Sequence, residues 1–76
     1  MNEIIEILNS VKPGFNYETE TALVDSGILD SLDIITIISE ISDRYDITVS
    51  PDKITPENFN TAAAIQKMIE EIEEDN

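Results

Sequence analysis

The chain has 76 residues, no cysteine, no histidine and a formal net charge of −13, from 17 acidic and 4 basic side chains. That length allows one small domain with a modest core, read here as a single domain over residues 1–76. The missing residue types exclude disulfides, thiolate metal sites and any nucleophile activated by an imidazole. The acidity excludes attraction to nucleic acid or an anionic membrane surface, and favours protein partners with basic patches.

The N-terminus shows no basic segment followed by an apolar run, so no signal peptide is expected. No run approaches the length of a membrane span. The expectation is a cytoplasmic, free-standing monomer with no membrane insertion. The charge also predicts a fold that is marginal at low ionic strength and stabilised by salt.

Ile4, Ile5, Leu8 and Val11 fall on one helical face, widened by Ile7, with Asn2 as a candidate N-cap and Pro13-Gly14 as the stop. Phe15 to Asp30 has neither a helical nor an alternating period. It reads as a long loop, with Phe15, Leu23, Ile28 and Leu29 tucked into the core. Loops of that length are uncommon in small domains and often carry function.

From Asp30 to about Asp46 the pattern is helical. At about 100° per residue, Ile34, Ile37, Ile38, Ile41 and Tyr45 gather on one side, and Asp33, Thr36, Glu40, Asp43 and Arg44 on the other. Leu32 and Ile35 fit neither group and lie on a flank shared with Ser39. Ile47-Thr48-Val49 reads as a short extended link. Ser50-Pro51-Asp52 begins a helical turn through Ile54, and Pro56-Glu57 a second. Asn60 or Thr61 then caps a last helix, whose stripe is Ile65, Met68, Ile69 and Ile72. The acids from Glu70 to Asp75 are solvated there and oppose the helix dipole, so that end is expected to fray. The fold predicted is all-α, a small four-helix bundle of three main helices and one short one.

Six serines occur, and Ser31 stands out. Asp30 is the expected cap of the long helix, Ser31 its first residue, and Asp33 lies in the same turn. A plain reading makes Ser31 a tolerated residue beside a cap. A catalytic nucleophile is excluded, because no neighbouring group can take the hydroxyl proton. A third reading is an acceptor modified by another enzyme. A helix start offers free N–H groups and a positive dipole end that suit an attached phosphate, and Gly27 permits tight backbone approach in the loop before it.

The stretch "GILDSL", Gly27 to Leu32, resembles the phosphopantetheine attachment motif of acyl carrier proteins. The setting is similar along nearly the whole chain: a first amphipathic helix, a long loop, a long helix closed by "RYDI", a short helix and a last amphipathic helix. The resemblance implies that Ser31 receives 4′-phosphopantetheine from coenzyme A through a separate phosphopantetheinyl transferase. Acyl or aminoacyl groups would then ride on the arm as thioesters, for fatty acid, polyketide or related synthesis, and the protein would be a shuttle, not an enzyme. It also implies that Asp30, with Asp33 in the same turn, meets basic residues of partners. Leu32, Ile35 and Ser39 match the flank that meets loading ligases and synthases, with Val49 closing that surface from the link.

Thr36 and Ser42 stand where carriers of fatty acid synthesis have glutamate, which weighs against docking to those enzymes. "ENFNT", Glu57 to Thr61, is similar to carriers served by stand-alone adenylating ligases, including D-alanyl carrier proteins, with Phe59 as a core plug. D-alanyl or other aminoacyl cargo is therefore the alternative. Two rivals remain from other classes. An EF-hand is excluded, since Asp25, Asp30 and Asp33 have the wrong spacing and no acidic run has the required glycine. An unmodified acidic interaction module stays open, and it should tolerate alanine at Ser31.

Overall fold

The computed structural model describes residues 2–75. Among these the chain is all-α: α1 (Asn2–Val11), α2 (Ser31–Tyr45), a single 3-10 turn (Pro51–Lys53), α3 (Pro56–Phe59) and α4 (Ala62–Glu74). Helix α1 packs on α2 and α4, and α3 packs on α4.

In α1 the buried face is Ile4, Ile7 and Leu8, with Ile5 and Val11 half-buried at its margins. Ile7 is thus central to the stripe, and Ile5 is a flank. The candidate cap Asn2 is the first described helical residue, and its capping role lies outside the described residues.

The loop after α1 is tightly folded. The Leu29 amide donates to the Leu23 carbonyl at 2.8 Å and Ser26 to Ala22 at 2.7 Å, so the segment before α2 closes on itself. Leu23 and Leu29 are buried and Ile28 packs beside them, as expected. Phe15 is not tucked in: it is 39% exposed. The aromatic plug is Tyr17, whose ring is buried with its centroid 6.2 Å from that of Phe15. Its hydroxyl donates to the Lys12 carbonyl. A phenol can bury its ring and still satisfy its one polar atom at the edge.

Helix α2 buries Ile37 and Ile41 fully, with Ile34, Ile38 and Tyr45 packed against the core. It ends at Asp46, which has φ 55 and ψ 48, a left-handed C-cap that aspartate tolerates better than most residues. Ile47 and Val49 then turn inward and Thr48 outward, the alternation of an extended link.

Thr61 caps α4. It is extended, at φ −137 and ψ 155, and its hydroxyl accepts from the Ala64 amide at 2.9 Å. Asn60 has right-handed helical backbone angles and does different work. Its Oδ1 accepts from the Val24 and Asp25 amides at 2.9 and 3.1 Å, and its Nδ2 donates to Asp25 at 3.0 Å. Its carbonyl accepts from Leu23 at 3.0 Å. One side chain and its own carbonyl therefore staple the long loop to the start of α4. The α4 stripe, Ile65, Met68, Ile69 and Ile72, is buried as its spacing predicts, and Ala62 joins it.

Candidate functional site

The site forms where the long loop delivers the chain into α2. Gly27 has φ 85, and a Cβ there would meet nothing within 4 Å. The loop thus asks for glycine because of its backbone conformation, and the close approach expected from the sequence is absent. Leu29 anchors the loop in the core, and Asp30 turns it into the helix. Asp30 is extended, at φ −100 and ψ −179. Its Oδ1 accepts from the Asp33 amide at 2.9 Å, while Asp33 Oδ2 accepts from the Asp30 amide at 3.2 Å. This reciprocal pair is a capping box with two acids.

Ser31 is the first residue of α2, exposed, and its hydroxyl has no partner among the described residues. The capping box consumes the Asp30 and Asp33 amides and leaves those of Ser31 and Leu32 at the open helix start.

The other predicted residues separate into three kinds. Leu32 is 71% exposed and Ile35 63%, with Ser39 exposed one turn beyond them. Spacings of three and four put all three on one flank of α2. Asp30 is exposed above that flank. Asp33 is more covered, because Lys12 Nζ lies 2.7 Å from its Oδ2. That bond holds the Asp33 carboxyl below the usual carboxylate range and raises the Lys12 ammonium above the usual lysine value. Val49 is 8% exposed, so it lies in the core and not on that surface.

Three participants were not singled out in the sequence. Lys12 gives no periodic signal, since its partner is 21 residues away by numbering, 33 − 12. Asn60 reads as a cap candidate, and nothing local reveals its bonds to Val24 and Asp25. Ile54, 41% exposed, is a further uncovered apolar residue. Among the described residues no cluster of acids is arranged to hold a metal ion, and no helix is long and apolar enough to cross a membrane.

The arrangement can present a hydroxyl without activating it. The chain lacks histidine, the Asp33 carboxylate is committed to Lys12, and Asp30 to the cap. The Ser31 hydroxyl is open to solvent, and the helix start beneath it carries positive dipole, a setting that suits a negatively charged group.

Comparison with known proteins agrees. The family model described as "Phosphopantetheine attachment site" matches residues 2–72. The D-alanyl carrier protein of Lactococcus lactis subsp. lactis (strain IL1403) is 30% identical over 76 residues, covering 97% of this chain and 96% of the relative. The D-alanyl carrier protein of Streptococcus gordonii is 30% identical over 71 residues, covering 92% and 90%. Aminoacyl carrier protein 1 of Bradyrhizobium diazoefficiens is 32% identical over 50 residues, covering 66% and 54%. A non-catalytic helical chain with an open serine at a helix start, matched along most of its length, belongs to the phosphopantetheine-binding carrier protein family.

Proposed function

We propose that Ser31 is the serine that takes the phosphopantetheine. The observation that carries this is its exposed, unbonded hydroxyl at the first residue of α2, between the capping Asp30 and the uncovered Leu32. Ser31 Oγ attacks the pyrophosphate of coenzyme A. An Oγ–P bond forms, the P–O bond of the pyrophosphate breaks, and 3′,5′-ADP leaves. The hydroxyl proton passes to a base on the transferase, because this chain offers none. Once attached, the group supplies the thiol that the cysteine-free chain lacks, and cargo rides on it as a thioester.

The test is intact mass after incubation with coenzyme A, Mg²⁺ and a transferase of broad specificity. The wild type gains one phosphopantetheine, and Ser31→Ala gains nothing. An equal gain in Ser31→Ala overturns the assignment.

For the cargo, the reading we favour is a small aminoacyl group, D-alanine foremost, over fatty acyl or polyketide groups. The support that carries it is that D-alanyl carriers match along nearly the whole chain. The holo-protein, offered ATP with a D-alanine-activating ligase or an acyl-activating enzyme, gains D-alanyl mass with the first. Loading by the acyl enzyme alone overturns this reading.

In this role the protein is a single-domain, monomeric, cytoplasmic shuttle. Asp30 and the Leu32–Ile35–Ser39 flank meet basic docking faces on transferase and ligase. Such contacts are brief and salt-sensitive, since exposed charges steer encounter more than they hold complexes together.

A further inference from the structure

Four cations face seventeen acids in this chain, so the place of each cation carries information. Arg44 pairs with Glu40 within α2, and among the described residues Lys53 and Lys67 make no ion pair. Among the described residues Lys12 alone makes an ion pair between two elements, reaching from the end of α1 to the first turn of α2. Its backbone is held on both sides: its amide donates to the Leu8 carbonyl at 2.9 Å, and its carbonyl accepts from the Tyr17 hydroxyl. The base of the side chain is therefore fixed, and only the stem and ammonium can swing.

The ammonium has three donors, and its 2.7 Å contact with Asp33 uses one. The side chain is about one-third exposed, at 34%, so the other donors can reach solvent at the start of α2. The charge of Asp30 acts on it as well. Ser31 stands between these two acids in the same turn.

A phosphodiester on Ser31 adds a third negative group to that turn, in a chain already at −13. All three then lie well inside a Debye length of about 8–10 Å. A lysine is suited to share itself between such groups, as a compact charge on a flexible stem.

We propose that Lys12 is a positioning residue for the attached group: its ammonium, held at the start of α2 by Asp33, is shared with the phosphate carried by Ser31. This rests on Ser31 being the attachment site. Lys12 offsets the repulsion that modification introduces and fixes the root of the arm on the α1 side of the turn. The arm then swings from a defined origin.

The test compares apo- and holo-protein for the wild type, Lys12→Gln and Lys12→Arg, with loading verified by intact mass. On modification the side-chain NMR resonances of Lys12 shift, and those of Lys53 and Lys67 do not. The ³¹P resonance of holo Lys12→Gln moves from the wild-type position toward that of the same phosphodiester in the unfolded holo-protein, while Lys12→Arg stays near the wild type. At low salt, modification lowers Tm by a few degrees more in Lys12→Gln than in the wild type, and high salt removes the difference. In the Tm comparison each variant is set against its own apo form, so the loss of the Lys12–Asp33 pair itself cancels there. Unchanged Lys12 resonances in the wild type overturn the proposal without recourse to a variant, as does a ³¹P position in Lys12→Gln equal to that of the wild type. Equal loading of Ser31→Ala overturns the attachment site instead, and this proposal with it.

Discussion

Helices α2 and α4 begin with the same device. In each, a side-chain oxygen accepts the amide three residues on at 2.9 Å: Asp30 from Asp33, and Thr61 from Ala64. The first turns then diverge. Helix α4 continues with Ala62-Ala63-Ala64 and buries its apolar stripe. Helix α2 continues with Ser31-Leu32-Asp33, leaves Leu32 and Ile35 in solvent, and ties its second acid to α1 through Lys12. Capping alone therefore says where a helix starts and nothing about use. The mark of a site is what the first turn leaves unburied and which charges it holds in place.

The largest effect that separates the two helices is in their apolar residues. Ile69→Ala, in the buried stripe of α4, should cost roughly 2–5 kcal/mol. Ile35→Ala, on the exposed flank of α2, should stay within about 0.5 kcal/mol while slowing modification or loading. Denaturant unfolding and transferase rates read the two properties apart. Equal destabilisation by both substitutions would break the comparison.

A smaller effect tests the caps themselves. Asp30→Ala and Thr61→Ala should each cost about 0.5–2 kcal/mol. Only Asp30→Ala should also slow transfer to Ser31 and flatten its salt dependence. A matching rate loss in Thr61→Ala would mean that the rate follows stability, not docking.

The smallest effect is the pH dependence contributed by Lys12 and Asp33. The Asp33 carboxyl is depressed by its bond to Lys12, so its stabilisation is present above the ordinary carboxylate range and is lost as pH falls through the depressed folded value. The Lys12 ammonium is raised by the same bond, so its share is present below the ordinary lysine value and is lost as pH rises through the raised one. Asp33→Asn should flatten the acid limb of a Tm–pH profile, whereas no pH-dependent contribution of this kind exists at α4, whose cap is a threonine.

These contrasts also explain what could be read from the sequence. Helices with repeating apolar stripes were legible, because burial imposes their period: Ile37 and Ile41 in α2, and Ile65 to Ile72 in α4. Leu32 and Ile35 were legible as exceptions to that period, and they are exposed. The loop was less legible. Without a period, nothing distinguished Phe15 from Tyr17, and the choice was decided by a hydroxyl that needed a carbonyl at the core's edge. Asn60 and Thr61 are equal candidates for one cap in the sequence, since what removes Asn60 from that role is a pair of partners 35 and 36 residues away. Lys12 was hidden for the same reason. The family resemblance puts Val49 on the partner surface, but the inward alternation of its link buries it.

The Asn60 staple has a consequence for the order in which the protein is built. The backbone around Val24 and Asp25 takes its bonds from a residue 35 to 36 positions later. Closing so large a loop carries an entropic cost that local turns cannot offset. During synthesis Ser31 therefore leaves the ribosome well before the loop leading to it can be locked, and its approach is finished only when the start of α4 arrives. The serine is made early and framed late, so that a completed surface around it reports that the start of α4 has already been made and docked on the loop.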